Sequence, residues 1–276
     1  MDIHQETALT AHIIHAFTGR AFRGKCAKGN PAAVVMLKNW PTAQALLRIS
    51  QILAQPVTAF LVERAEGYDI RRFSPDAEIN LCGHGSLAAA ACILETAEED
   101  TVSLFSPHGN VVIERAADRA DDDMRNSYRM KMPAWQGTRN QQNWQDAQRL
   151  GLTPADVFST RDLVIVLDSE QQVRDYQPDF TLIKNLKNHH AVILTASQGK
   201  SGYVLRNFAP KIGINEDTAT GSAQCSLAPY WLEKLGQEDL EAHQLSSDGG
   251  YFRVSPAQKG LLFTVQAEKK ATVSLA

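Results

Sequence analysis

Apolar positions along the chain fall into short clusters parted by polar turns, and two longer apolar stretches stand apart from them. Residues 12–17 are strand-like. The Gly29-Asn30-Pro31 turn leads into 32–37, a continuous apolar run of the kind a buried strand makes. Pro41 opens a helical stretch over 42–54, where Ala45, Leu46, Ile49, Ile52 and Leu53 line one face. Residues 57–62 and 68–73 read as strands. Then 86–94, SLAAAACIL, is apolar on every side, and a helix of that kind has to be surrounded by protein. Short strands on both sides of it predict a sheet wrapped around a central helix. The acidic stretch 118–126 carries no apolar period and predicts a boundary, giving halves 1–122 and 123–276, with a solvated hairpin loop as the competing reading. Strands resume at 128–132, 162–167 and 191–195, a second central helix is predicted over 222–235, and 251–275 reads as strands again.

Composition fits this picture. A chain of 276 residues is natural for two domains, and 43% hydrophobic with 21% charged residues is the balance of a soluble protein. A net charge of -3 builds no field for nucleic acid, and no basic cluster marks a membrane surface. The first residues form no secretory signal and no apolar run could span a bilayer, so a cytoplasmic protein is expected. The cysteines Cys26, Cys82, Cys92 and Cys225 form no CxxC and have no histidine at zinc-ligand spacing, so free buried thiols are expected and no metal site. Cys82 is set apart by the Gly-His step that follows it.

The chain also repeats itself. Phe73-Ser74-Pro75, Glu78-Ile79-Asn80 and Gly85-Ser86 before the first apolar helix match Phe208-Ala209-Pro210, Gly213-Ile214-Asn215 and Gly221-Ser222 before the second. The first two pairs keep an offset of 135 and the Gly-Ser pair 136, which suggests two related halves. Each copy places a glycine and a hydroxyl where a buried helix begins. Helix N-termini carry unpaired N–H donors and partial positive charge, so two such ends predict a grip on a small carboxylate. Ser86 and Ser222 could equally be ordinary N-caps. His84 precedes one helix, whose positive end would favour a neutral imidazole suited to proton transfer, and Asp217 precedes the other.

At these residues a resemblance emerges. Gly29-Asn30-Pro31-Ala32-Ala33-Val34-Val35, the block from Phe73-Ser74-Pro75 through Cys82-Gly83-His84-Gly85-Ser86, and the block from Phe208-Ala209-Pro210 through Glu216-Asp217-Thr218-Ala219-Thr220-Gly221-Ser222-Ala223 resemble, in order and spacing, the signatures of the PhzF-like (phenazine-biosynthesis-like) proteins, relatives of diaminopimelate epimerase. The resemblance implies an α+β fold of two pseudo-symmetric domains, each a mainly antiparallel, barrel-like sheet around a central helix, with room for the final strand to return to the first domain. It implies an isomerase moving a proton on a small carboxylic acid in the cleft between the domains, with no metal or organic cofactor, commonly as a homodimer. His84 and Asp217 match the family's catalytic residues, and Gly83, Gly85, Ser86, Gly221 and Ser222 the substrate-holding loops.

One departure matters most. The family's proton-shuttling glutamate lies in a Ser-Glu-Thr-x-Phe motif, and the matching segment here is Pro56-Val57-Thr58-Ala59-Phe60. Thr58 and Phe60 fix the register, so Val57 stands where the glutamate would be, and valine titrates no proton. Glu63 is about 20 Å further along an extended strand. Gln224 also stands where the family often has histidine, and a basic stretch over 20–28 precedes the Gly29 turn. The expectation is therefore an isomerase with altered chemistry carried by His84 and Asp217. The alternative is a catalytically silent binding or regulatory protein of the same fold. A racemase using Cys82 is a more distant variant, since Cys225 lies within the second helix and not at its mouth.

Overall fold

A computed structural model describes residues 9–80, 82–116 and 126–275 of the chain. The expected boundary between 122 and 123 lies outside these residues. The chain divides into two compact units. Of the described residues, the first takes those up to Ala16, from Asn30 to Tyr128 and from Ala267 onward; the second takes Phe17–Gly29 and Arg129–Gln266.

In the first unit, β1 (Leu9–Phe22), which runs on into the second unit, pairs antiparallel with β3 (Asn30–Leu37). β3 pairs parallel with β4 (Thr58–Arg64), β4 antiparallel with β5 (Gly67–Phe73), β5 parallel with β7 (Thr101–Phe105), and β7 antiparallel with β8 (Val111–Arg115). Parallel neighbours need a crossover. Here α1 (Ala43–Leu53) joins β3 to β4, and α2 (Gly83–Leu94) lies between β5 and β7. α1 has a buried face of Leu46, Ser50 and Leu53 over Ala33, Val35, Phe60 and Phe73. The intervening strand residues Val34, Ala59 and Leu61 are equally buried, and α2 packs against β3, β4, β7 and β8. Strands covered on both faces are apolar without alternation, which is how 32–37 reads. The all-round apolar character of α2 has the same cause: Leu87, Ala88, Ala89, Ala90 and Leu94 are all buried.

The second unit repeats this pattern. β10 (Asp156–Ser159), β11 (Leu163–Val166), β12 (Val192–Ser197), β13 (Gly202–Phe208), β14 (Leu240–Gln244) and β15 (Gly250–Pro256) pair in that order, with antiparallel and parallel neighbours alternating as in the first unit. The register repeats as well: Ala33 faces Thr58, which faces Phe73, as Leu163 faces Val192, which faces Phe208. α6 (Gly221–Leu235) packs against β13, β14 and β15 as the central helix. On the other face lie α3 (Gln141–Arg149), α4 (Glu170–Asp175) and α5 (Phe180–Asn185), which the hydrophobic pattern did not disclose because they are short and mostly polar. Ala147, Val173 and Ile183 bring them into one core with Val157, Leu163, Ile165, Val192, Leu194, Val204 and Phe208. β16 (Leu261–Leu275) pairs with β15 in this unit, and its last residues return to the first.

Gly83 and Gly221 are the first residues of α2 and α6, so Gly85 and Ser86 lie inside α2 and not before it. His84 accordingly sits within the first turn of α2 and not before it.

Candidate functional site

The α-helices begin in two different ways. In α1, α3, α4 and α5 the N-cap residues Thr42, Asn140, Ser169 and Asp179 each accept a hydrogen bond from a first-turn N–H. The N-cap residues of the two central helices, Cys82 and Thr220, make no such bond. Neither Ser86 nor Ser222 is a cap. Each central helix thus starts on a glycine with no side chain from its own N-cap covering the donors, an arrangement that suits an anion.

In the first unit the site residues gather at the start of α2. Ser86, 1% exposed, donates its hydroxyl hydrogen to the Cys82 carbonyl at 2.7 Å and accepts from Arg72 Nε at 3.1 Å and Nη2 at 2.8 Å. The substrate-holding role expected for its side chain therefore competes with a buried arginine. Arg72 is itself 1% exposed; burial pulls its guanidinium below the ordinary value and the neighbouring Cys82 acts in the opposite sense. The Cys82 Sγ lies 3.3 Å from His84 Nδ1. Gly85 is held by packing: a Cβ there would stand 2.9 Å from Val57 Cγ1 and 3.6 Å from Cys82 Sγ. Val57, 3% exposed just before β4, therefore points at the first turn of α2.

In the second unit a polar lattice holds the start of α6. Asp217 Oδ2 accepts the Thr220 hydroxyl at 2.6 Å. Gln244 accepts the Thr220 N–H at 2.8 Å and donates to the Asp217 carbonyl at 2.7 Å and to Thr220 Oγ1 at 3.1 Å. Asn207 also donates to Thr220 Oγ1, at 3.2 Å. Two Arg206–Glu216 bonds, at 2.8 and 2.9 Å, brace the loop from outside. Gly221 is tight in the same way as Gly85, since a Cβ would stand 2.9 Å from Phe17 Cζ. Ser222 accepts from the half-exposed Arg161 at 3.2 Å, and that guanidinium is also paired with the buried Asp162.

The structure thus gathers His84, Gly83, Gly85, Ser86 and Val57 at one helix start and Asp217, Gly221 and Ser222 at another. Sequence reasoning missed Arg72, Arg161 and Gln244, which lie outside the motifs that drew attention to the other residues. The thiols differ from the expectation in one respect: Cys26 is exposed, Cys82 and Cys92 are half-buried and only Cys225 is buried. Among the described residues no group of three histidine, cysteine or acidic side chains could hold a metal ion, and no helix is long and apolar enough to cross a membrane.

Comparison with known proteins shows the family and the fold. An uncharacterized isomerase of Vibrio cholerae is 45% identical over 251 residues, covering 91% of this chain and 87% of its own. The crystal structure of a PhzF-family phenazine biosynthesis protein from Enterococcus faecalis superposes with a TM-score of 0.85 at 30% identity, covering 98% of this chain and 100% of the other. A predicted epimerase of Pseudomonas aeruginosa shares the fold, with a TM-score of 0.74 at 19% identity over 97% of this chain and 99% of its own. The sequence profile of the phenazine biosynthesis-like proteins, PhzC-PhzF, matches residues 15–265. On the profile match over residues 15–265 and the 45% identity to the Vibrio cholerae protein, the chain belongs to the phenazine biosynthesis-like family.

Proposed function

We propose that the protein is an isomerase that moves a proton on a small carboxylic acid. The observation that carries this reading is the pair of central helices whose N-cap side chains leave the first turn uncovered, each with an acid–base side chain beside it: His84 in α2 and Asp217 ahead of α6. The helix ends hold the carboxylate, and the two side chains exchange the proton. The names of the relatives support the reaction class, since the Vibrio cholerae protein is called an isomerase.

Val57 sets the chemistry apart. In this reading it occupies the place of the family's glutamate, so proton transfer has to proceed through other groups. General acid–base catalysis contributes roughly 10²- to 10⁴-fold to rate. Asp217→Asn, which keeps the shape of the site, should lower turnover by a factor in that range, measured on whichever small amino or aromatic carboxylic acid raises the melting temperature. Full turnover in Asp217→Asn would refute the assignment.

The apolar, buried Val57 favours a second reading, a silent ligand-binding protein of the same fold. It expects carboxylates to raise the melting temperature without being converted, and conversion that disappears in His84→Gln and Asp217→Asn rules it out.

A further inference from the structure

Arg161 occupies the turn between β10 and β11, and that turn is fastened to the central helix of the second unit. Thr160 and Ser226 share a hydrogen bond at 2.7 Å across the junction. A second fastening follows from a proline. Pro229 lies inside α6 and has no N–H to give the Cys225 carbonyl one turn earlier. The Trp135 N–H takes that carbonyl instead, at 2.8 Å. The Trp135 ring then carries the Arg161 guanidinium on its face, with Cζ 5.3 Å from the ring centroid.

Two further contacts fix the guanidinium. Its Nε and Nη2 donate to the two carboxylate oxygens of Asp162, at 3.1 and 2.8 Å, and Asp162 is 1% exposed. Nη2 also donates to Ser222 Oγ at 3.2 Å. An arginine holds five donors in a rigid fork. Asp162 occupies the edge formed by Nε and Nη2, which turns the other edge, Nη1 and Nη2, toward Ser222 in the first turn of α6. Among the described residues nothing accepts a hydrogen bond from Nη1, and the side chain is 43% exposed. Ser222, having accepted from Arg161, keeps its own hydroxyl hydrogen for a further acceptor. A long side chain immobilised on three sides, with one donor edge left open, is preorganised for a ligand. That edge suits two oxygens in one plane, the shape of a carboxylate.

We propose that Arg161 selects a carboxylate in the second unit, through Nη1 and the neighbouring Ser222 hydroxyl. The inference rests on the reading of the protein as an isomerase of a small carboxylic acid and names the side chain that recognises the acid. Substrates accordingly bind as ionised acids, and the matching amides, which turn a neutral NH2 toward the fork, are refused. Asp162 orients the guanidinium and offsets its charge without occupying the edge turned to Ser222. The first-turn donors of α6 add to the attraction for negative charge.

Benzoate and succinate, each set against its neutral amide, test this on the full chain. The acids should raise the melting temperature of the wild type and the amides should not. Arg161→Gln should weaken benzoate binding roughly 10- to 100-fold, the loss expected for a charge-assisted hydrogen bond. Arg161→Lys keeps the charge and loses the fork, so its affinity should fall between the two. Because Arg161→Gln leaves a buried carboxylate unpaired, the double variant Arg161→Gln/Asp162→Asn repeats the test with that charge removed. The wild type alone gives a further readout. Phenylglyoxal, which modifies guanidinium groups, should label Arg161 several-fold more slowly in benzoate, while labelling of Arg139, paired with Asp156 elsewhere in the unit, stays unchanged. Labelling of Arg161 that benzoate does not alter overturns the proposal even if the variants fail to fold. So does benzoate affinity unchanged in Arg161→Gln, or a wild type that binds neither acid. The isomerase reading is judged separately, by turnover in Asp217→Asn.

Discussion

At the scale of single residues, two glycines let the first turns of the central helices pack closely. Val57 fills the space that a side chain on Gly85 would need, and Phe17 does the same at Gly221. Gly85→Ala should destabilise the protein by about 1–3 kcal/mol through overpacking. In a Val57→Ala background the same change should cost less, because the clashing methyl is gone; urea denaturation of the two single variants and the double variant measures that coupling. Val57 could be located from sequence because Thr58 and Phe60 fixed the register around it. Arg72 could not. Adjacent strand residues point to opposite faces, and in the Arg71-Arg72 pair nothing in the sequence says which one turns inward. The structure directs Arg71 outward to Glu78, at 2.6 and 2.7 Å, and buries Arg72 beneath α2.

At the scale of elements, the contrast between capped and uncapped helices separates scaffold from site. The capping box at Ser169 should be worth about 1 kcal/mol, lost in Ser169→Ala and readable by denaturation. The start of α6 depends on a residue from a neighbouring strand instead. Gln244→Leu removes the partner of the Thr220 N–H and of the Asp217 carbonyl. Leaving buried polar groups unmatched costs about 1–3 kcal/mol. Turnover should fall as well, because the Asp217 loop loses its anchor, whereas Ser169→Ala should leave turnover unchanged. The apolar central helices were visible in the sequence as 86–94 and 222–235, but their first turns were not. The two serines drew the prediction three residues too late at α2 and one at α6.

At the scale of the whole molecule, the alternation of antiparallel and parallel neighbours in both units accounts for the sequence repeat. Phe73 and Phe208 end equivalent strands and face equivalent partners, so the motif offset of 135 marks a duplicated topology. What the sequence could not foretell is that the second unit carries α3, α4 and α5 over its sheet where the first has α1. The second unit also buries histidines. Burial lowers the imidazoles of His189 and His243 below the ordinary 6.5, with Asp146 and Glu241 respectively acting the other way. Below 6.5 the unfolded chain takes up protons that the folded protein does not, so stability is whole above that pH and declines as pH falls through the window beneath it. The melting temperature should therefore drop between about pH 7 and pH 5. His243→Phe, which keeps the stack on Phe22 at 4.3 Å without a titrating group, should flatten the decline.

The return of β16 to the first unit has a consequence for synthesis on the ribosome. Translation delivers every segment of the second unit by Gln266, while the first still awaits Ala267 and the residues after it. The half encoded mainly by the early part of the message is thus the last to be completed, and a nascent chain must hold an unfinished sheet open until its final strand emerges. Loss of the residues from Ala267 onward would then injure the first unit and leave the second intact.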